Sequence, residues 1–431
     1  MNEHARDDRR DADVDHEVPI RSSALAGVRI CDLSGQLAGA GSTRTLAAFG
    51  AEVIRVEDPV EQGRWDILRG VFPFIDSRRG NEFGGAFNNH NVEKLGVTIN
   101  MRTERGKQLL ADLIASSDVV TENFSAGVLA RWGFTYERMC EIKPDIIYVS
   151  NCGFGQTGPY AAYRTWGPIV QAMCGLTFTA GLPGLASAGW GYSYMDHHGA
   201  NFMTIAILAA LRHRKRTGEG QWVDMSCVEA GATLLGPMLL DWSVNGRPAR
   251  RDGMPDANHS QHPLMAPHDI YPAAGDDQWV ALCCRDDADW LALASVIDER
   301  WCGDERWTTT AGRVEAMVEL DAHISRWTAT RSKFDVQLQL QGVGVPAAAV
   351  QTPPERIDHD RGTSEFGLWP TVEHAAMGSV RVDGIPVHLS DTDWVIERGA
   401  PLLGEHNRMV FRDIVGLSEA EIEQLERDRV V

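Results

Sequence analysis

Short β-branched runs alternate with helical stretches through the first half of this chain, and that alternation leaves few folds open. Residues 28–33 read as a strand, a glycine-rich loop follows, 43–49 read as a helix stopped by Gly50, and 52–57 read as a second strand. A unit that closes in about thirty residues has room for one helical crossover, so its two strands should lie parallel. The pattern recurs with strands at 97–99, 118–121, 145–150 and 221–225 and a helix at 103–117. It predicts an α/β fold with a doubly wound, mostly parallel, Rossmann-like sheet in a large domain.

The 431 residues exceed what one compact core usually serves. Residues 1–24 mix Asp, Glu and Arg without an apolar core, so they cannot act as a secretory signal and are expected to form a disordered leader. The large domain is expected over 25–244 and a Pro- and Arg-containing linker over 245–267. A smaller α+β domain should occupy 268–335, with strands at 269–271 and 278–284 before its helices, and a C-terminal part should follow over 336–431. In that last part 379–389 is strand-like and 418–427 reads as an amphipathic helix.

A net charge of −19 repels nucleic acid and anionic membranes at long range. The eight cysteines form no C-x-x-C pair, which suits a reducing cytoplasm. No span suits a bilayer, because the apolar run 202–211 stops at Arg212. Between Arg164 and Asp196 the chain carries no Asp, Glu, Lys, Arg or His, yet it holds six glycines and two prolines. That texture suits buried loops and a helix lining a cavity, and it ends abruptly at the Asp196 carboxylate.

Other motifs carry less. The loop after the first strand reads G-x-x-x-G-x-G through Gly35, Gly39 and Gly41, which is not the dinucleotide spacing, although Glu57 stands where a ribose-binding acid could. His259, His262 and His268 with Asp256 and Asp269 have a metal-like composition, but the histidine spacing fits no familiar zinc site, so no metal is expected.

Several strings in order resemble one family. They are Phe49-Gly50-Ala51-Glu52-Val53-Ile54-Arg55-Val56-Glu57, Thr121-Glu122-Asn123-Phe124, Gly153-Phe154-Gly155-Gln156-Thr157-Gly158-Pro159-Tyr160, Arg216-Thr217-Gly218-Glu219-Gly220-Gln221, Ala266-Pro267-His268 and Ala400-Pro401-Leu402-Leu403-Gly404-Glu405-His406. From Leu25 to the C-terminus the chain resembles the class III CoA-transferases, the formyl-CoA and carnitine CoA-transferase relatives. The resemblance implies an interlocked homodimer, or a heteromer with a homologous subunit, whose large domain takes in both N- and C-terminal parts. It also implies acyl-CoA and a small carboxylic acid as substrates, with no permanently bound cofactor.

The family's catalytic carboxylate falls on Asp196, just before the long helix, whose first N–H groups would hold developing negative charge. A carboxylate nucleophile suits this chemistry, since the anhydride it forms with an acyl group is itself reactive. Contacts to CoA carry over to Ile99, Arg102, Asn123, Phe124 and Arg131, with the two arginines as phosphate partners. Two departures stand out: Gln36 is displaced beside Leu37, and Asp58 occupies a position that is often basic. The string Gly189-Trp190-Gly191-Tyr192-Ser193-Tyr194-Met195-Asp196 most resembles succinyl-CoA-dependent benzylsuccinate-type transferases. Gln36, Trp190, Tyr192, Tyr194 and His197 are therefore expected to line a site for a partly apolar or aromatic acid. An acyl-CoA racemase of the same fold would need a histidine near Trp166, and none stands there.

Overall fold

The structure, a computed structural model, describes residues 23–180, 185–189, 191–250, 258–261 and 263–431. The expected leader lies outside these except for Ser23 and Ala24, as do residues 251–257 of the expected linker. Six strands, β1 (Arg29–Asp32), β2 (Glu52–Glu57), β3 (Leu95–Thr98), β4 (Val119–Glu122), β5 (Ile147–Cys152) and β6 (Trp222–Ser226), form one sheet in the order β3-β2-β1-β4-β5-β6. Every pairing in it is parallel. The winding direction reverses between β1 and β4, and the loops leaving those two strands part there to open a crevice.

Among the described residues, ten α-helices accompany this half: α1 (Ala38–Ala48), α2 (Gly85–Asn91), α3 (Glu104–Ala115), α4 (Val128–Arg131), α5 (Tyr136–Ile142), α6 (Gly167–Met173), α7 (Leu176–Thr179), α8 (Tyr194–Thr217), α9 (Cys227–Ala232) and α10 (Gly236–Asn245). Leu109, Leu110, Leu113 and Ile114 of α3 close one face of the sheet over Val97, Val120 and Tyr148. Leu46 of α1 and Met203, Ile207 and Ala210 of α8 close the other over Ile30, Val53 and Val149. Burial on both faces is why the strands read as near-continuous apolar runs.

Helix α1 begins at Ala38 rather than at the expected residue 43, so the glycine-rich loop is largely the helix's first turn. A Cβ on Gly39 would meet Ser34 at 2.3 Å, and one on Gly41 would meet Ala200 of α8 at 3.3 Å. Close packing thus outweighs the poor helix propensity of glycine. The dinucleotide reading loses its acid as well, because Glu57 is buried against Arg69 at 2.6 Å.

Beneath the crevice lies a fully buried ion pair. Lys94 Nζ donates to Asp32 Oδ2 at 3.1 Å, to Thr43 Oγ1 at 2.7 Å and to Asn91 Oδ1 at 3.0 Å. Asp32 also accepts from Thr121 at 2.9 Å and from Ser34. Burial pushes the Asp32 carboxyl up, but Lys94, Arg55 and the hydroxyls together hold it below the usual range.

The smaller body has an antiparallel sheet of His268–Pro272, Trp279–Cys283 and Ala347–Ala349 covered by helices Asp287–Ile297, Met317–Thr328 and Lys333–Gly342. Trp290, Trp307 and Trp327, each 1% exposed, fill its core. The expected boundary at 335 falls inside the Lys333–Gly342 helix, whose Val336 and Leu340 belong to this core. Of the expected strand 379–389 only Ser379–Arg381 is strand, within Gly378–Arg381, which pairs with Thr371–His374. Helix Glu419–Arg427 starts on a Ser418/Glu421 capping box and buries Ile422 and Leu425 in the α3 core, while Asn100 N–H donates to Val430 O at 2.7 Å.

The uncharged run 165–195 departs from expectation. Val170 and Cys174 are buried, but Trp166, Ile169, Met173 and Phe178 are 45–56% exposed, and Leu240, Trp242 and Val244 of α10 are 61–76% exposed. No helix among the described residues is long and apolar enough to cross a membrane.

Candidate active site

The crevice is shaped by the loops at the carboxyl ends of the central strands. Asn123, just past β4, ties its loop to the one after β1: its Oδ1 accepts from Gly35 N–H at 2.7 Å and its Nδ2 donates to Gly35 O at 2.8 Å. Gln36 takes a left-handed φ of 55° and donates its N–H to Asp66 Oδ2 at 3.1 Å. The loop after β2 brings in Trp65, which stacks over the buried Arg55 guanidinium at 4.9 Å and lies 5.1 Å from the Phe124 ring. Asn151, Cys152 and Gly153 at the end of β5, Tyr163 to Gly167, Cys227 and Asp196 complete a cleft of 370 Å³.

Asp196 is the third residue of α8, so the helix begins two residues before it, not after it. The N–H groups beyond Asp196 consequently lie in the helix body, facing carbonyls four residues back, which corrects the expectation that they are free to hold an oxyanion. Gly167 admits Ser193 at a distance a Cβ would block, and the Ser193 side chain hydrogen-bonds the carboxylate. Burial nevertheless dominates and pushes Asp196 up to about 6, with no ion-pair partner among the described residues. At neutral pH the group is ionised yet poorly stabilised, the condition under which a carboxylate is a good nucleophile.

Of the other expected residues, Gln36, Asn123 and Phe124 share the cleft with Asp196. Ile99 does not reach it, being 1% exposed within the α3 core. Arg102 is on the surface, paired with Glu61 at 2.7 Å and Asp58 at 3.7 Å. Arg131 is exposed at the end of α4, with no acidic partner among the described residues. Tyr192 and His197 are not among the residues lining the cleft; they are bonded to each other at 2.6 Å with rings 5.4 Å apart, and His197 lies 5.6 Å from His90. Tyr194 packs with Val170, Cys174 and Met195. Trp190 lies outside the described residues.

Sequence reasoning missed Trp65, Asn151, Cys152, Tyr163, Arg164 and Cys227. The rule that ligands bind beyond the carboxyl ends of parallel strands pointed to Asn151 and Cys152. Trp65 and Arg164 carried no such signal, and Arg164 is the cation among the lining residues. Away from the cleft, His259 binds Asp321 at 2.9 Å and Asp269 at 3.3 Å, while His268 bonds the Asn258 carbonyl; Asp256 and His262 lie outside the described residues.

Comparison with known proteins places this fold. The sequence matches the profile of CoA-transferase family III over residues 25–407, and the chain belongs to that family. It is a CoA-transferase. It is 32% identical over 410 residues to the succinyl-CoA–D-citramalate CoA-transferase of Chloroflexus aurantiacus, covering 94% of this chain and 98% of that one. It is also 32% identical over 415 residues to the succinate–glutarate CoA-transferase of Agrobacterium fabrum, covering 95% and 98%. A CAIB/BAIF family protein from Brucella suis superposes with a TM-score of 0.81 at 28% identity, covering 91% of this chain and 100% of that one.

Proposed function

We propose that the chain moves CoA from an acyl-CoA donor, succinyl-CoA in the first instance, to a partly apolar carboxylic acid by way of Asp196. The observation that carries this reading is a half-buried carboxylate, raised to about 6, in the wall of a 370 Å³ cleft. Asp196 Oδ attacks the thioester carbonyl and expels CoA thiolate, leaving a mixed anhydride. The thiolate then attacks the aspartyl carbonyl, which forms an aspartyl-CoA thioester and frees the donor acid. The acceptor carboxylate attacks that thioester, releasing CoA thiolate and forming a second anhydride. The thiolate finally takes the acceptor acyl group and regenerates Asp196.

Trp65, Phe124, Tyr163 and Trp166 offer aromatic walls to an apolar acceptor, in keeping with an aromatic acid of the benzylsuccinate kind. The named relatives act on succinate, citramalate and glutarate, and Arg164 supplies a cation for a second carboxylate of that sort. Arg131 is the cation we assign to the CoA phosphates, whereas Arg102 would first have to leave Glu61. The exposed apolar residues of α6, α7 and α10 support a tightly associated homodimer, with a homologous second subunit as the alternative, in the cytoplasm.

Hydroxylamine added during turnover should convert Asp196 to a hydroxamate, found by peptide mass mapping only after acyl-CoA is supplied. A label on any other carboxylate, or none, would defeat the mechanism.

A further inference from the structure

Glu122 is the last residue of β4 and is 1% exposed, yet it has no ion-pair partner among the described residues. Its Oε2 accepts from Phe124 N–H at 2.7 Å, and its Oε1 accepts from Tyr148 Oη and Gln156 Nε2, each at 3.0 Å. The other end of the Gln156 amide accepts from Gly127 N–H at 3.0 Å, at the start of α4, which carries Arg131. One carboxylate therefore fixes the 123–127 loop, and through Gln156 it fixes the 153–166 segment. Both supply walls of the cleft.

Protonation would upset this arrangement in a defined way. A carboxylic acid must donate its proton, and of the three groups facing it only Tyr148 Oη can accept, by giving up its own donation, since Phe124 N–H and the Gln156 amide group are donors. The bonds from Phe124 and Gln156, charge-assisted while the carboxylate is ionised, then weaken to neutral ones and loosen both segments. Burial pushes Glu122 up to about 7, and Asp224 from β6 and Cys152 from β5 face it, Asp224 adding to the rise against the lowering bonds from Phe124, Tyr148 and Gln156.

We propose that Glu122 is a positioning residue whose ionised carboxylate sets the CoA side of the cleft, so that its charge state controls affinity for acyl-CoA. This rests on the reading that the cleft takes acyl-CoA. The test is calorimetric binding of 3′-dephospho-CoA, which lacks the phosphate monoester that titrates near neutrality, to the full chain from about pH 5.5 to 8.5. An Asp196→Asn background removes the other carboxylate that titrates in this window. The Kd should weaken about tenfold as pH falls through about 7, and the added Glu122→Gln change should hold it at the weak value at every pH. Tyr148→Phe removes a donor to the carboxylate and should move the midpoint upward, a shift that loss of packing alone would not produce. In steady state Glu122→Gln should raise KM for acyl-CoA with kcat within about twofold. If Glu122→Gln does not fold, Gln156→Ala should reproduce the loss of affinity with β4 intact.

A pH-independent Kd in the parent, or parental affinity with its pH dependence intact in Glu122→Gln or Gln156→Ala, would overturn the proposal. Failure of the parent to bind at any pH would overturn the CoA reading itself.

Discussion

Asp32 and Asp196 stand in the same half of the molecule, at the two ends of the idea of a buried carboxylate. Asp32 meets an ammonium and three hydroxyls beneath the crevice, with the Arg55 guanidinium nearby, and these hold its carboxyl below the usual range despite complete burial. Asp196 meets one hydroxyl and the cleft, and its carboxyl rises to about 6. Glu122, with hydrogen-bond donors but no cation, rises to about 7. Whether a buried acid stays well ionised or is pushed up towards neutrality therefore depends on whether a cation is buried with it.

The largest effect expected from this contrast is on catalysis. Asp196→Asn should lower transfer by roughly 10⁴-fold or more, measured as product acyl-CoA by mass. The same change should raise the unfolding midpoint at pH 7. The folded pKa of about 6 lies above the unfolded value, so the ionised group costs stability as pH rises through that window, and the gain should vanish near pH 4. In the unaltered enzyme, kcat/KM should fall about tenfold per pH unit below about 6.

Next in size is the structural acid. Lys94→Met removes the cation bonded to Asp32, leaving only the more distant Arg55, and should cost about 3 kcal/mol in chemical denaturation. Little loss there would erase the distinction drawn between the two aspartates.

The smallest effect concerns surface cations. Arg131→Ala should raise KM for acyl-CoA about fivefold, while Arg102→Ala, already neutralised by Glu61 and Asp58, should change it less than about twofold. The reverse order would return the phosphate role to Arg102.

These residues also show where sequence reading reaches. Asp196 was legible because it ends an uncharged run, whereas Asn123 and Phe124 came only from the resemblance carried by Thr121-Glu122-Asn123-Phe124. The pairing of Arg102 was not legible, because Glu61 lies 41 residues away in sequence and meets it only across the fold. The start of α1 was missed because two glycines argue against a helix, while contacts with Ser34 and Ala200, invisible in the sequence, require them. Glu122 was visible only as a letter in a familiar string. Its burial and its donors come from β5 and the loop beyond.

The tryptophans are unequally placed, and this gives the molecule a built-in optical readout. Indole emission shifts to the blue in an apolar core and to the red in water, and only rings open to solvent are reached by soluble quenchers. Trp290, Trp307 and Trp327 lie in the core of the smaller body, while Trp65 and Trp166 line the cleft. Iodide should therefore remove the red part of the spectrum first. An acyl-CoA occupying the cleft should shield the Trp65 and Trp166 share of that red component, leaving the exposed Trp222, Trp242 and Trp279 open to iodide and the blue emission of the three buried rings unchanged.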